Sequence, residues 1–262
     1  MTIDFHDGKN KHTYAARTAD HEWIELLRPY VGNNPGVALD IGCAGGIYSK
    51  ALADLGASRV IGMDFSRSNL DGARDNCSSY DNITFMQRDA LDTGLPEQSV
   101  DLILERALIH HITDLDACFR EASRVLKQGG LIIVQDRTQA DCLLPGSVNH
   151  IRGYFFEKYP RLIQKETERR HTSLAVVQSL SANQFEQIEE ISFWETRRTY
   201  HDIAELEQDL LNRTGRSILH DLNDHELGEL VAYILEKLQD RQDDEIKEQD
   251  RWTLWIAKRK SC

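Results

Sequence analysis

The sequence predicts an α/β fold built on a doubly wound, mostly parallel sheet of seven strands with an antiparallel edge strand. Between residues 37 and 135, short apolar segments alternate with segments of helical spacing, which implies parallel strands joined by right-handed helical crossovers. The apolar segments are continuous runs of Val, Ile and Leu, as expected for strands buried on both faces. Glycines or carboxylates follow several of these runs, at the positions where open parallel sheets bind ligands.

Five strands and four helices are predicted in this first half. The strands are residues 37–41, 60–64, 83–87, 100–104 and 131–135. The helices cover 12–30, 47–55, 66–77 and 114–126. Gly56 is a helix stop, Ser66 is an N-cap, and Gly129-Gly130 end the last helix.

The second half has a different pattern. Residues 172–183 and 202–240 have helical spacing, whereas 188–196 and 252–258 resemble interrupted strands, which we expect to pair antiparallel at the sheet edge. We predict one domain over residues 1–262, with a ligand-binding core at 12–137. A helical lid or insert covers 138–183 and 200–248, and the charge-rich stretch 240–250 is predicted to be a solvated helix end or turn.

Composition restricts the class of protein. The net charge of −12 disfavours nucleic acid as the main partner, although residues 161–170 form a local basic stretch. The sequence has no apolar run of 18 residues and no signal-peptide pattern at its N-terminus, so we expect no membrane span and a cytoplasmic protein. The five scattered cysteines indicate neither a disulfide framework nor a metal site. A monomer and a homodimer are both open.

A glycine-rich loop follows the first strand. A dinucleotide loop of the form G-x-G-x-x-G starting at Gly42 needs glycine at positions 44 and 47, which are Ala and Ile. The spacing D-x-G-x-[GA]-x-G is met by Asp40, Gly42, Ala44 and Gly46. A carboxylate beside the loop suits a cationic ligand better than a pyrophosphate. Cys43 fits the loop as a small apolar residue.

Acidic side chains also follow the next strands. Asp64, after the second strand, is placed to accept hydrogen bonds from ribose hydroxyls, as in many nucleotide-binding sheets. Asp89, after the third strand, is able to accept a hydrogen bond from an adenine amine. Glu105 ends the fourth strand, and His110-His111 follow it.

The ordered motifs at residues 39–46, 62–66, 88–90, 99–103 and 126–130 resemble the class I S-adenosylmethionine-dependent methyltransferase family. The resemblance covers about residues 12–137 and is strongest to the small-molecule branch of ubiquinone- and menaquinone-type enzymes. It implies a Rossmann-like fold, S-adenosyl-L-methionine as cofactor, S-adenosyl-L-homocysteine as product, and no metal. Ala44 and Gln128 depart from the family's usual glycine and proline.

The resemblance assigns the cofactor contacts. It places Asp40, Gly42, Cys43, Ala44 and Gly46 at the methionine part, Asp64 at the ribose, and Phe65, Asp89 and Ala90 at the adenine. It places Glu105 in the methyl-transfer pocket, and Tyr14 and Arg17 over the cofactor.

Acceptor binding is expected from the segment after the fifth strand. Arg137, Arg152 and Tyr154 are the candidate acceptor-binding residues. Either of these arginines, or Arg161, could bind a carboxylate or phosphate on the acceptor. Methyl transfer from a sulfonium requires in-line alignment and exclusion of water. A general base helps only when the acceptor is protonated, and the candidates are His110, His111 and His150.

Several functions are compatible with these motifs. The first is methylation of a small molecule at O, N or C. The second is protein or RNA methylation through the basic stretch 161–170. The third is non-catalytic binding of an S-adenosyl ligand. Asp40 and Ile47 disfavour a dehydrogenase, and the absence of an [NDS]-P-P-[YF] motif at 105–108 disfavours amino methylation of bases.

Overall fold

A seven-stranded sheet organises the computed structural model, which describes residues 19–241 and 245–261. The strands are β1 (Val37–Ile41), β2 (Arg59–Asp64), β3 (Ile83–Gln87), β4 (Val100–Arg106), β5 (Leu126–Asp136), β6 (Phe185–Tyr200) and β7 (Ile246–Arg259). Their order in the sheet is β3-β2-β1-β4-β5-β7-β6. Strands β1 to β5 are parallel, and β7 pairs antiparallel with β5. The predicted fold class is confirmed.

One α-helix precedes the first strand along the chain, and the others lie between the strands. They are α1 (His21–Val31), α2 (Ile47–Asp54), α3 (Arg67–Asn76), α4 (Leu115–Val125), α5 (Gln139–Cys142), α6 (Ile151–Lys158), α7 (Arg161–Glu168), α8 (Ser173–Ala182), α9 (Ile203–Leu211) and α10 (Asp224–Lys237). Ser66 caps α3 as predicted, because its hydroxyl accepts a hydrogen bond from the Asn69 amide. Within the described residues, no helix has the length and apolar character needed to cross a membrane.

Several element boundaries differ from the prediction; β6 and β7, for example, extend beyond the predicted 188–196 and 252–258. Two further differences concern helices. Helix α4 ends at Val125, and Leu126 is already extended and pairs with Val100, so β5 begins before Gly129-Gly130 rather than after them. The predicted helical stretch 202–240 is interrupted between α9 and α10, where a 3-10 turn covers Ser217–Asp221. In both places long-range packing overrides the local pattern.

The chain forms two compact units, and the described residues divide between them. The sheet unit holds 19–136, 171–191 and 253–261, and the helical unit holds 137–170, 192–241 and 245–252. The predicted insert included residues 172–183, but α8 belongs to the sheet unit. Its Val176 and Leu180 are fully buried in that unit's core, and its Ser179 hydroxyl donates to Asp116 at 2.5 Å.

Each unit has its own apolar core. In the sheet unit, residues of the parallel strands pack with Phe119 of α4 and Trp255 of β7. In the helical unit, Tyr154, Phe155 and Phe156 of α6 pack with the apolar faces of α9 and α10. The aromatic triplet of α6 is therefore core packing of the helical unit.

The charge-rich stretch 240–250 is a further correction. Residues from Ile246 onward form the start of β7, and Glu248 and Asp250 are only 2% and 7% exposed. Both carboxylates pair with arginines of the helical unit. These two acids can be buried because arginines distant in sequence pair with their charges.

Candidate functional site

The candidate site lies in the sheet unit, at the carboxyl ends of the parallel strands. The strand order reverses between β1 and β4, and open α/β sheets bind ligands at such a switch point. Carboxylates stand at the ends of four strands in this region, namely Asp40, Asp64, Glu105 and Asp136. The strand ends thus concentrate acidic groups on one edge of the sheet.

The glycine loop between β1 and α2 is held by backbone hydrogen bonds. The amides of Gly42 and Cys43 both donate to the Met63 carbonyl, at 2.7 and 2.9 Å, and the Gly46 amide donates to the Cys43 carbonyl. Gly42, Ala44 and Gly46 all have positive φ, at +77°, +44° and +77°. Glycine adopts this conformation freely, whereas Ala44 adopts it at some cost.

Asp64 ties the end of β2 to the glycine loop. One carboxylate oxygen accepts from the Ala44 amide at 3.0 Å, and the other accepts from the Ser66 amide at 2.8 Å and from the Asn69 side chain at 3.3 Å. Asp64 is 6% exposed. The side chain therefore has a fixed orientation at the loop, with structural contacts in addition to the ribose contact predicted for it.

Asp40 is a buried carboxylate beside the same loop. Burial raises its pKa to about 7, and the hydrogen bond from the Ser49 hydroxyl, 2.6 Å long, opposes this rise. The Asp64 carboxylate raises the pKa further, while Arg106 lowers it. A cationic ligand at this place would stabilise the ionised form of Asp40.

Phe65, Asp89 and Ala90 lie at the ends of β2 and β3. The Phe65 ring is 56% exposed, which is unusual for a phenylalanine and leaves a flat apolar surface beside Asp64. Asp89 is exposed and accepts from the Leu91 amide at 2.9 Å, and Ala90 is buried. This combination offers an apolar face and an adjacent acceptor, as an adenine ring requires.

Glu105 has an environment that the sequence did not reveal. Its carboxyl group is fully buried, and the Cys118 thiol of α4 lies 3.7 and 3.8 Å from its two oxygens. Burial raises its pKa to about 7, and the contact with Cys118 opposes this only in part. The side chain thus points into the sheet face covered by α4, and its predicted place in a methyl-transfer pocket stays a prediction.

The buried Glu105 carboxyl predicts a pH-dependent stability. Between about pH 4.5 and 7 the folded protein holds a proton that the unfolded chain has released, so stability falls as the pH rises through this range. Glu105→Gln removes the titrating group and with it this loss of stability. We expect the free energy of unfolding of the variant, relative to that of the wild type, to be about 2 kcal/mol higher at pH 8 than at pH 5. Urea unfolding at both pH values measures it, with exposed Glu25→Gln as control. If the difference in free energy of unfolding between Glu105→Gln and the wild type is the same at both pH values, the raised pKa of Glu105 is contradicted.

Several residues near Asp40 were not identified from the sequence. Arg106 follows Glu105 and therefore points to the opposite sheet face, where its guanidinium lies 4.0 Å from the centre of the Tyr48 ring. Trp23 packs edge-on against Tyr48 and donates to the Gln135 side chain at 2.6 Å. Because side chains alternate between the two faces of a strand, the sequence of β4 could have indicated that Arg106 and Glu105 lie on opposite faces of the sheet.

His110 is oriented by a carboxylate at the end of β5. Its Nδ1 lies 2.8 Å from an Asp136 oxygen, and its backbone amide also donates to Asp136. Its ring lies 4.0 Å from the His111 ring. His171 holds the same turn, since its Nε2 lies within 3.0 Å of the Ile109 and Ile112 carbonyls. The geometry favours His110 over His111 as the oriented histidine.

The other predicted site residues lie in the helical unit or outside the described residues. Arg137 pairs with Asp250 at 3.3 Å, and Arg152 pairs with Glu166 at 2.7 Å. His150 is buried, and burial lowers its pKa. Tyr154 belongs to the core of that unit. Tyr14 and Arg17 lie outside the described residues.

Two further possibilities for the site are a reactive loop cysteine and a bound metal ion. Burial raises the pKa of the Cys43 thiol well above its ordinary value, so this group is not an activated nucleophile. Over the described ranges, no group of three or more His, Cys, Asp or Glu side chains is arranged to hold a metal ion.

Comparisons with known proteins agree with the geometry of the sheet unit. Residues 39–134 match the model of a methyltransferase domain. The chain is 32% identical over 96 residues to a ubiquinone biosynthesis O-methyltransferase of Pelagibacter ubique, covering 37% of this chain and 40% of that protein. It is 33% identical over 116 residues to a demethylmenaquinone methyltransferase of Tropheryma whipplei, covering 44% and 48%. The matches thus span less than half of these relatives.

A solved structure resembles the chain over a greater length. A protein described as a methyltransferase from an antibiotic biosynthesis pathway of Anabaena variabilis superimposes with a TM-score of 0.66. The superposition covers 91% of this chain and 98% of that one at 20% identity. At this identity the likeness concerns the fold.

Proposed function

We propose that this chain is a class I S-adenosylmethionine-dependent methyltransferase, and that it transfers a methyl group from S-adenosylmethionine to a small-molecule acceptor. One observation carries the proposal: buried Asp40 and Asp64 flank a glycine loop at the switch point of the sheet. Both residues lie within the matched domain. A dinucleotide-binding loop has no reason to place the Asp40 carboxylate there.

The residues of the sheet unit fit the chemical groups of this cofactor. Asp40, a desolvated carboxylate, suits the positively charged methionine part. Asp64 is held at the end of β2 by amide donors, in the position that accepts ribose hydroxyls in such sheets. Phe65 offers an exposed ring to the adenine, and Asp89 offers an acceptor to its amine.

When bound, S-adenosylmethionine supplies an electrophilic methyl group and a good leaving group. The work left to this chain is to fix the cofactor, align the acceptor and accept a proton where the acceptor atom carries one. One relative is named as a ubiquinone biosynthesis O-methyltransferase and another as a demethylmenaquinone methyltransferase, which supports a small cyclic acceptor. We propose methylation of a hydroxyl group on such a ring, with His110 as the proton acceptor.

The alternative of a nucleic-acid acceptor receives no support from the basic stretch 161–170. Arg161 pairs with Glu226, Lys165 with Asp221, and both Arg169 and Arg170 with Glu166. These carboxylates neutralise the stretch, whereas nucleic-acid binding depends on a basic surface. The proposed acceptor is therefore a small molecule.

Two measurements test the proposal. Calorimetric titration with S-adenosylmethionine, S-adenosylhomocysteine and NAD should show binding of the first two alone. Mass spectrometry of reactions with a panel of phenols, catechols and amines should then show a gain of one methyl group on an acceptor. Binding of NAD alone would overturn the cofactor assignment, and cofactor binding without transfer to any acceptor would favour a non-catalytic binding protein.

The His110–Asp136 pair predicts a defect confined to the chemical step. His110→Gln removes the proton acceptor and should lower kcat for a hydroxyl acceptor about 100-fold or more. Asp136→Asn keeps the shape but disturbs the orientation of the imidazole, so we expect a loss of about 10- to 100-fold. The cofactor dissociation constant should stay within about threefold.

The pH profile of the transfer reaction separates this role from a structural one. A general base gives a rate that rises with pH, and a rise of this kind in the wild type should be absent from His110→Gln. His111→Gln, which changes the neighbouring exposed ring, is the matched control. An unchanged kcat in His110→Gln would exclude it as the base.

A further inference from the structure

Ser49 of α2 contacts the buried carboxylate of Asp40 in the sheet unit. Its hydroxyl donates a hydrogen bond of 2.6 Å to Asp40 Oδ2, and its backbone amide also faces this carboxylate. Ser49 is fully buried, and Asp40 is 1% exposed. Because α2 begins directly after the glycine loop, this hydroxyl is directed at a carboxylate oxygen beside the proposed cofactor site.

The free protein compensates the charge of Asp40 only in part. Removal of a carboxylate from water disfavours its ionised form, and hydrogen bonds or opposite charges offset this cost. Among the described residues, the hydrogen bonds to Asp40 come from Ser49, whereas an ionised carboxylate can accept about four. A cation that binds beside the glycine loop would therefore stabilise the ionised form further.

Charged and titratable groups face Asp40 from the neighbouring elements. Asp64 of β2 raises the pKa of Asp40 and Arg106 of β4 lowers it, since the register of β1 and β4 places Arg106 on the same sheet face. The thiols of Cys43 in the loop and Cys77 after α3 also lie near this carboxylate. Burial raises the pKa of Cys77 to about 11 and that of Cys43 well above its ordinary value. Neither thiol changes charge near pH 7, where Asp40 does.

We propose that Ser49 is a positioning residue for cofactor binding, because its hydroxyl orients Asp40 and favours its ionised form for the ammonium group of the cofactor's methionine part. The inference rests on the proposed function, since an S-adenosyl ligand supplies that ammonium group. Ionised Asp40 attracts a cation and protonated Asp40 does not. Binding at a pH where Asp40 is protonated therefore releases its proton to the solvent, and the affinity falls as the pH falls through this range.

Calorimetric titration of the wild type with S-adenosylhomocysteine tests the release of the proton. With Asp40 titrating at about pH 7, the affinity should fall about tenfold from pH 8 to pH 6. Titrations at pH 6 in two buffers of different ionisation enthalpy should show the release of about one proton. The matched ligand is methylthioadenosine, which lacks the ammonium group and should bind without proton release. Binding of S-adenosylhomocysteine without proton release, or equal release with both ligands, overturns the inference.

Ser49→Ala separates a positioning role from a packing role. Loss of the donor makes Asp40 harder to ionise, so the variant should bind S-adenosylhomocysteine about tenfold more weakly than the wild type at pH 6 and about equally at pH 9. A packing defect alone would weaken binding by the same factor at both pH values. Ser179→Ala is the matched control, because it removes another buried hydroxyl, which donates to Asp116 at 2.5 Å, and it should change neither affinity. A factor for Ser49→Ala that does not depend on pH overturns the role of Ser49.

Two further variants complete the test. Asp40→Asn keeps the shape of the side chain without its proton, so its affinity should be lower than that of the wild type at pH 8, independent of pH, and without proton release. Ser49→Cys fills a similar space with a weaker donor and should change the affinity in the same direction as Ser49→Ala, so it decides the matter if Ser49→Ala does not fold. Proton release that persists in Asp40→Asn assigns the proton to another group and overturns the inference.

The same titrations distinguish this inference from the proposed function. If S-adenosylhomocysteine binds the wild type but releases no proton, the inference about Ser49 and Asp40 fails and the proposed cofactor stands. If S-adenosylhomocysteine does not bind at any pH, the proposed function fails and the inference fails with it.

Discussion

Asp64→Asn should weaken the binding of S-adenosylhomocysteine by about 100-fold. In the free protein Asp64 accepts hydrogen bonds from the Ala44 and Ser66 amides through different oxygens. In the complex we expect it also to accept from two ribose hydroxyls, and a hydrogen bond to a charged group contributes about 1.5–3 kcal/mol. An asparagine has one acceptor oxygen in place of two, so it cannot maintain the loop contact and both ribose contacts.

Calorimetric titration of the purified protein measures this effect. A loss of about 2.7 kcal/mol in binding free energy corresponds to the expected 100-fold change. Asp71→Asn is the matched control, because Asp71 lies in the neighbouring helix α3 and pairs with partly exposed Arg74 of the same helix. It should leave the affinity unchanged. A dissociation constant for Asp64→Asn within threefold of the wild type would show that Asp64 only caps the loop.

Gly46→Ala should destabilise the fold by about 2–4 kcal/mol and abolish cofactor binding. A Cβ atom at this position would lie 2.8 Å from the Cys77 sulfur and 3.2 Å from atoms of Ala73 and Phe85. Overpacking of this kind costs about 1–3 kcal/mol. The backbone φ of +77° adds about 1 kcal/mol for an L-residue. Relief of either strain requires the loop to shift, and the Ala44 amide that donates to Asp64 belongs to the same loop.

Gly228→Ala is the control for the glycine substitution. Gly228 lies within α10, and a Cβ atom there has no other atom within 4 Å. The same change should therefore stabilise the protein by about 0.5–1 kcal/mol, since alanine favours helix interiors over glycine. Urea unfolding measures both variants. If Gly46→Ala and Gly228→Ala change the free energy of unfolding by the same amount, the inferred close packing around Gly46 is contradicted.

Several features of the sheet unit could be predicted from the sequence alone. The strands at 37–41 and 83–87 have the predicted bounds, and the capping role of Ser66 was predicted correctly. These features depend on residues adjacent in the chain, such as an apolar run followed by a glycine or a carboxylate. The roles of the individual site residues remain predictions, although the structure brings Asp40, Asp64 and the glycine loop together.

Only the tertiary structure decided which charged groups are buried, and against what. The sequence did not reveal that Glu105 lies against Cys118, or that Glu248 and Asp250 in a charge-rich stretch are buried beside arginines. Glu248 pairs with Arg197 and Arg216, which lie 51 and 32 positions away along the chain. Burial of a charge depends on partners that meet only after folding. No local pattern encodes such a meeting, so the burial of Glu248 and Asp250 beside arginines is a property of the folded helical unit.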